Sequence, residues 1–171
     1  MDKSPVLERI VEWAEANGEK IQDAYNQKGG WEGWTQVELA FYLKRAFESE
    51  RYGVVTVTRE DNVYQGNNQR SDLLITTRKG AEHFTNMLEL KCESIANTNN
   101  FKTQAKADCT KVNQGVINQN YLPCKAWVVA LSVTKDLGDV QVGSLKLAAY
   151  SKRIQAGTLQ LTLWWAAKSF Q

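Results

Sequence analysis

Apolar and polar positions along the chain change period several times, and each change marks an element. Over residues 5–27, Val6, Ile10, Val11, Trp13, Ala14 and Ile21 recur near helical spacing with charges between them. This predicts a helix, with Gly18 a possible break and Gly29-Gly30 its end. Residues 33–50 predict a second helix. Trp34, Val37, Leu39, Ala40, Phe41, Tyr42, Leu43, Ala46 and Phe47 cover nearly its whole circumference, the mark of a buried helix. Val54 to Glu60 is β-branched and alternating, which predicts a strand, and the polar stretch Asp61 to Gln69 a loop. Two further strands are expected over 71–77 and 85–92, joined by a turn at Arg78-Lys79-Gly80. A helix follows over 99–118, with Phe101, Ala105, Cys109, Val112 and Val116 on one face. Beyond Pro123 the apolar run Ala126–Val133 predicts a strand, and the tail a short helix near 143–153 and a last strand over 158–166. No repeat or linker interrupts this order, so residues 1–171 read as a single α/β domain around one central mixed sheet.

Composition narrows the chemistry. Hydrophobic residues make up 43% and charged residues 23%, ordinary for a globular domain. No stretch reaches the ~20 apolar residues of a membrane span. Met1-Asp2-Lys3-Ser4-Pro5 runs into a polar helical pattern without a signal-peptide core, so a cytoplasmic location is expected. Cys92, Cys109 and Cys124 are spaced like neither a zinc knuckle nor a redox pair and read as reduced thiols. There is one histidine, His83, so mechanisms that need two imidazoles are excluded within one chain. A net charge of +2 neither demands nor excludes nucleic acid. Phosphate binding would need a local basic surface drawn from Arg70, Lys91, Lys102, Lys106 and Lys111.

Carboxylates and lysines must therefore do any chemistry. In a strand residues i and i+2 share a face, so Glu89 and Lys91 point one way and Leu88 and Leu90 the other. Two charges on an apolar central strand are expected to be paired or to bind something; on an edge strand they would be a solvated face. Asp72 opens the apolar run Leu73-Leu74-Ile75, as a carboxylate at a cleft or as a strand-start residue. Glu38 has Trp34, Thr35, Phe41 and Tyr42 as helical neighbours, which makes its charge costly unless satisfied; Thr35 and Glu38 also have capping-box spacing.

Asp72, followed after 16 residues by Glu89-Leu90-Lys91, resembles the Asp…(Asp/Glu)-x-Lys signature of the PD-(D/E)xK, or restriction-endonuclease-like, nucleases. Arg70-Ser71-Asp72-Leu73-Leu74-Ile75 and Met87-Leu88-Glu89-Leu90-Lys91-Cys92-Glu93-Ser94 resemble the family's two core strands, although Ser71 stands where the name-giving proline would be. The resemblance covers about residues 31–133 and implies an α-β-β-β-α-β core. Residues 1–30 would then be an N-terminal helical addition, and a helix and strand would follow the core. It further implies hydrolysis of phosphodiester bonds with Mg²⁺ or Mn²⁺, whose preference for oxygen suits Asp72 and Glu89, the backbone carbonyl of Leu90 and, as a further ligand, Glu38. Lys91 would orient or deprotonate the attacking water, or stabilise developing charge. Gln104 and Lys111, seven residues apart with Asp108 near their stripe, are candidates to face the phosphate from the following helix. Tyr64, in a polar loop, is a candidate for substrate contact, whereas Trp34 and Phe101 read as core.

The reading is thus a metal-dependent nuclease acting on nucleic acid, DNA favoured over RNA, in the setting of a toxin or effector, a defence system or repair. A toxin would imply a dedicated inhibitor protein. The alternatives are a catalytically inactive module of the same fold that binds nucleic acid or protein, and an interaction domain of unrelated mixed α/β fold.

Overall fold

The computed structural model describes residues 4–171; the expectation drawn from Met1–Lys3 lies outside the described residues. The first helical pattern is two helices, α1 (Pro5–Ala16) and α2 (Gly18–Tyr25). At Gly18 a Cβ would stand 2.9 Å from the Cα of Ala156, so only glycine admits this close approach. Next come α3 (Glu32–Ser49), β1 (Val54–Arg59), β2 (Leu73–Lys79), β3 (Glu82–Cys92), α4 (Phe101–Gln114) and β4 (Cys124–Ser132).

The tail differs from expectation. No helix occupies 143–153. Instead β5 (Gln141–Val142) pairs with β6 (Leu145–Lys146), and β7 (Ala148–Ala149) and β8 (Ile154–Ala156) both pair with β9 (Leu159–Phe170), which runs past residue 166. The cause is a period of two: Leu145 and Leu147 are buried while Lys146 between them is exposed. Gly143, at φ 57°, supplies the left-handed turn between β5 and β6.

The main sheet has the order β1-β2-β3-β4-β9-β7 and is mixed: β3 and β4 run parallel and the other neighbours antiparallel. Parallel strands need a long crossover, and α4 provides it. Side chains alternate between two apolar layers. Leu73, Ile75, Leu88, Leu90, Trp127 and Val129 face α1, α2 and α3. Leu74, Met87, Ala126, Val128 and Ala130 face α4. β4 is buried along almost its whole length, as a central strand must be.

α3 is not buried all round. Thr35, Gln36, Leu39, Leu43 and Phe47 form its inner face, and Phe41 is 63% exposed on the outer one. No capping box forms: Thr35 lies inside the first turn and its hydroxyl donates to the Trp31 carbonyl (2.9 Å). The three cysteines are free and buried. No helix among the described residues is long and apolar enough to cross a membrane.

Candidate active site

The polar cluster lies on the α4 side of the sheet, at the C-terminal end of β3. Glu89 and Lys91 project there because Leu88 and Leu90 are committed to the opposite core. Asp72 extends the β2–β3 ladder by one step: its N–H donates to the Leu88 carbonyl (3.1 Å), and its Oδ2 accepts from the Leu90 N–H (2.6 Å). In antiparallel pairs opposite residues share a face, so Asp72 and Glu89 face α4 side by side.

Two helices complete the cluster. Glu32, the first residue of α3, accepts from Lys91 Nζ (3.0 Å) through Oε1 and from the Cys92 N–H (3.4 Å) through Oε2. Asp108 of α4 holds Lys91 from the other side, Oδ2 to Nζ 3.6 Å. One turn further, Lys111 donates to Glu89 Oε2 (2.7 Å) and to the Arg70 carbonyl. Tyr64 donates its hydroxyl to Glu89 Oε1 (2.6 Å). Its loop is tied down by a bridge to Ile117 and by Gln65 N–H to the Val116 carbonyl (2.7 Å).

Four carboxylates, Glu32, Asp72, Glu89 and Asp108, thus face two ammonium groups, Lys91 and Lys111. Burial raises all four carboxyls above their ordinary range. Glu89, pushed by burial and pulled back in part by Lys111, reaches about 7, and Asp108, pushed by burial and pulled back by Lys91, also reaches about 7. Asp72 and Glu32 rise for the same reason, with Leu90 N–H and Lys91 respectively opposing the shift. Burial works against the Lys91 ammonium, but the combined pull of Asp108, Glu32 and Asp72 prevails and holds it above the ordinary lysine range.

Of the residues expected from the sequence, Asp72, Glu89, Lys91, Lys111 and Tyr64 meet here. Tyr64 is 2% exposed, and its hydroxyl braces Glu89. Glu38 does not join. It lies six residues along α3 from Glu32, on a different side of the helix, half-buried and without a hydrogen bond or ion pair among the described residues. The acid that α3 contributes is Glu32. The Arg70 side chain is exposed and lies 3.5 Å from Glu60, so only its carbonyl reaches the cluster. Gln104 is exposed, one turn before Asp108, and its side chain has no hydrogen-bond partner among the described residues. Glu32 and Asp108 are the additions. Asp108 was within reach of sequence reasoning, three residues before Lys111 on one helix face.

The donor set is all oxygen, which suits a hard divalent ion. Two features fit such an ion: the Lys111 ammonium seated between Glu89 and the Arg70 carbonyl marks a place for positive charge, and the buried Asp108 Oδ2 has no hydrogen-bond donor. Among the described residues no three His, Cys, Asp or Glu side chains form a ready-made metal cage. An ion held here would keep part of its water shell, as Mg²⁺ commonly does. No protein family, curated protein or solved structure matches the chain.

Proposed function

We propose that the chain is a Mg²⁺- or Mn²⁺-dependent nuclease of the PD-(D/E)xK type that hydrolyses phosphodiester bonds, DNA favoured over RNA. The observation that carries this reading is the convergence of Asp72 and Glu89 from adjacent strands, with Lys91 two residues further along the same face of β3. The order α3-β1-β2-β3-α4-β4 supports it, agreeing with the α-β-β-β-α-β order that the resemblance implies.

In this reading Asp72, Glu89 and the Leu90 carbonyl would hold the ion. When bound, the ion supplies an acidified water and neutralises charge on the phosphate. Lys91, clamped between Glu32 and Asp108, presents a fixed ammonium to the charge that develops on the phosphoryl oxygens. Tyr64 fixes the rotamer of Glu89, and Lys111 offers a second ammonium at the mouth of the cluster.

The test is a plasmid-nicking assay with Mg²⁺, with and without EDTA, on the wild type and on Asp72→Ala and Lys91→Ala. Loss of cutting in both variants, with circular dichroism unchanged, is the expected result. Cutting by both at the wild-type rate would remove the assignment, and absence of cutting by the wild type on DNA and RNA alike would leave a binding module.

A further inference from the structure

Beside the cluster lies a groove that the proposed chemistry does not use. It runs between the β1–β2 loop and the C-terminal half of α4, as two adjoining cavities of about 560 and 460 Å³ that share Gln65 and Asn67. Carboxamides dominate its lining: Gln65, Asn67 and Gln69 from the loop, Gln114 from α4 and Asn118 beyond it. Among the described residues no aspartate or glutamate lines either cavity, and the one charged lining residue is Lys111, which is also bonded to Glu89.

The loop is held in shape rather than loosely solvated. Ser71 N–H reaches the Asp61 carbonyl (3.0 Å), Asn118 N–H the Val63 carbonyl (2.9 Å) and Gln69 N–H the Asn67 side chain (2.9 Å). Asn67 in turn donates to Gln69 Oε1 (3.1 Å), while the Gln65 and Gln114 amides have no partner among the described residues. A wall of neutral amides with one cation is a poor phosphate trap, because phosphate affinity scales with the number of cations. It is a good reader of base edges, because a carboxamide sets a donor and an acceptor in one plane. On an unpaired base the matching edge is the free Watson–Crick edge, where each of the four bases sets a donor beside an acceptor: adenine N6–H and N1, cytosine N4–H and N3, guanine N1–H and O6, thymine N3–H and O4. A concave groove reaches such an edge only on a base that stands out of a duplex stack.

We propose that this groove seats an unpaired base of the nucleic-acid substrate, with the adjoining phosphate drawn toward Lys111 and the carboxylate cluster. This rests on the nuclease reading for its ligand class and goes beyond it in naming the unpaired state of the base that is held.

Fluorescence anisotropy of the full chain in EDTA, where turnover plays no part, tests it with labelled dA12, dT12, dC12 and a blunt 12-base-pair duplex. The expected result is each single strand bound about tenfold more tightly than the duplex, the scale of one bidentate pair. The Gln65→Ala/Gln114→Ala double variant, altered at two exposed positions, should erase that preference. The logarithm of affinity should fall with the logarithm of salt at a slope of about −1 or less, one or two phosphates at most. Duplex binding as tight as or tighter than that of the single strands, or a preference that survives in the double variant, would overturn the proposal. The two readings fail separately: single-strand selectivity without cleavage of any nucleic acid removes the nuclease, and cleavage without that selectivity removes the groove.

Discussion

Glu89 and Glu93 stand four residues apart at the same end of β3, both almost wholly withdrawn from water (1% and 0% exposed), and their surroundings are opposite. Glu93 is saturated. Its carboxylate accepts from the Val133, Thr134 and Lys135 N–H groups (2.6, 2.8 and 3.3 Å) and from the hydroxyls of Thr98 (2.7 Å) and Thr134. Its carbonyl also receives the Trp31 indole N–H (2.7 Å). Burial alone would raise its carboxyl, but these donors together hold it below the ordinary range. Glu89 has one phenol, one ammonium and a neighbouring carboxylate, and is left near 7. A buried acid ringed by neutral donors is a rivet between the segments after β3 and after β4. A buried acid left short of positive charge has an appetite for a cation.

The largest expected effect separates the two outright. Asp72→Asn and Glu89→Gln should each lower Mg²⁺-dependent nicking by about 10³-fold, the scale of several kcal/mol of lost charge stabilisation. Glu93→Gln should leave the rate per folded molecule unaltered, and active-site titration against soluble protein reads the difference. Stability should respond the other way. Glu93→Gln is expected to cost about 2–4 kcal/mol, as several buried donors lose their charged acceptor. That lowers Tm by roughly 5–15 °C in a domain of this size. Glu89→Gln should leave Tm at pH 8 unchanged or higher, and a drop as large as that of Glu93→Gln would erase the distinction.

The pH dependence sharpens the contrast. Glu93 binds its proton less tightly when folded, so its contribution is complete above the ordinary glutamate value of 4.5 and is lost as the pH falls through the lower folded value. Glu89 binds its proton more tightly when folded, so it opposes folding increasingly as the pH rises from 4.5 through about 7. Asp108 adds to this slope, from 3.8 to about 7. Thermal melts of Glu89→Gln should therefore be flatter than wild type between these limits. Mg²⁺ at about 100 times its Kd should add roughly 2–3 kcal/mol at pH 8, seen as a Tm rise of several degrees that Asp72→Asn abolishes. The smallest effect is that of Tyr64→Phe, which removes one donor to Glu89. It should cost about 1 kcal/mol and move the acid limb of the nicking profile to higher pH; an unmoved limb would mean the phenol does not hold the carboxylate.

Local periodicity made the sheet legible. Alternation marked β1, apolar runs marked β2 and β4, and the i, i+2 rule set Glu89 and Lys91 on one face of β3. The residues that escaped depend on distance in sequence. Glu32 meets Lys91 across 59 positions, and nothing near Trp31-Glu32-Gly33 announces it. Glu38 looked inward because its neighbours are aromatic, yet Phe41 among them is exposed. Tyr64 sits among polar residues and was read as open; its burial is imposed by Ile117 and Glu89, both remote in sequence. The tail misled because Ala148-Ala149 suits a helix, while Gly143 and the Leu145/Leu147 alternation carried the stronger signal.

Every side chain of the cluster comes from residues between Glu32 and Lys111, whereas the strands that clamp β3 from beyond, β4 and β9, begin at Cys124. Inheritance can therefore act on dosage and on chemistry through separate stretches of the gene. A worn contact in β9, which does not pair with β3, lowers how many copies survive quality control before it reaches the chemistry.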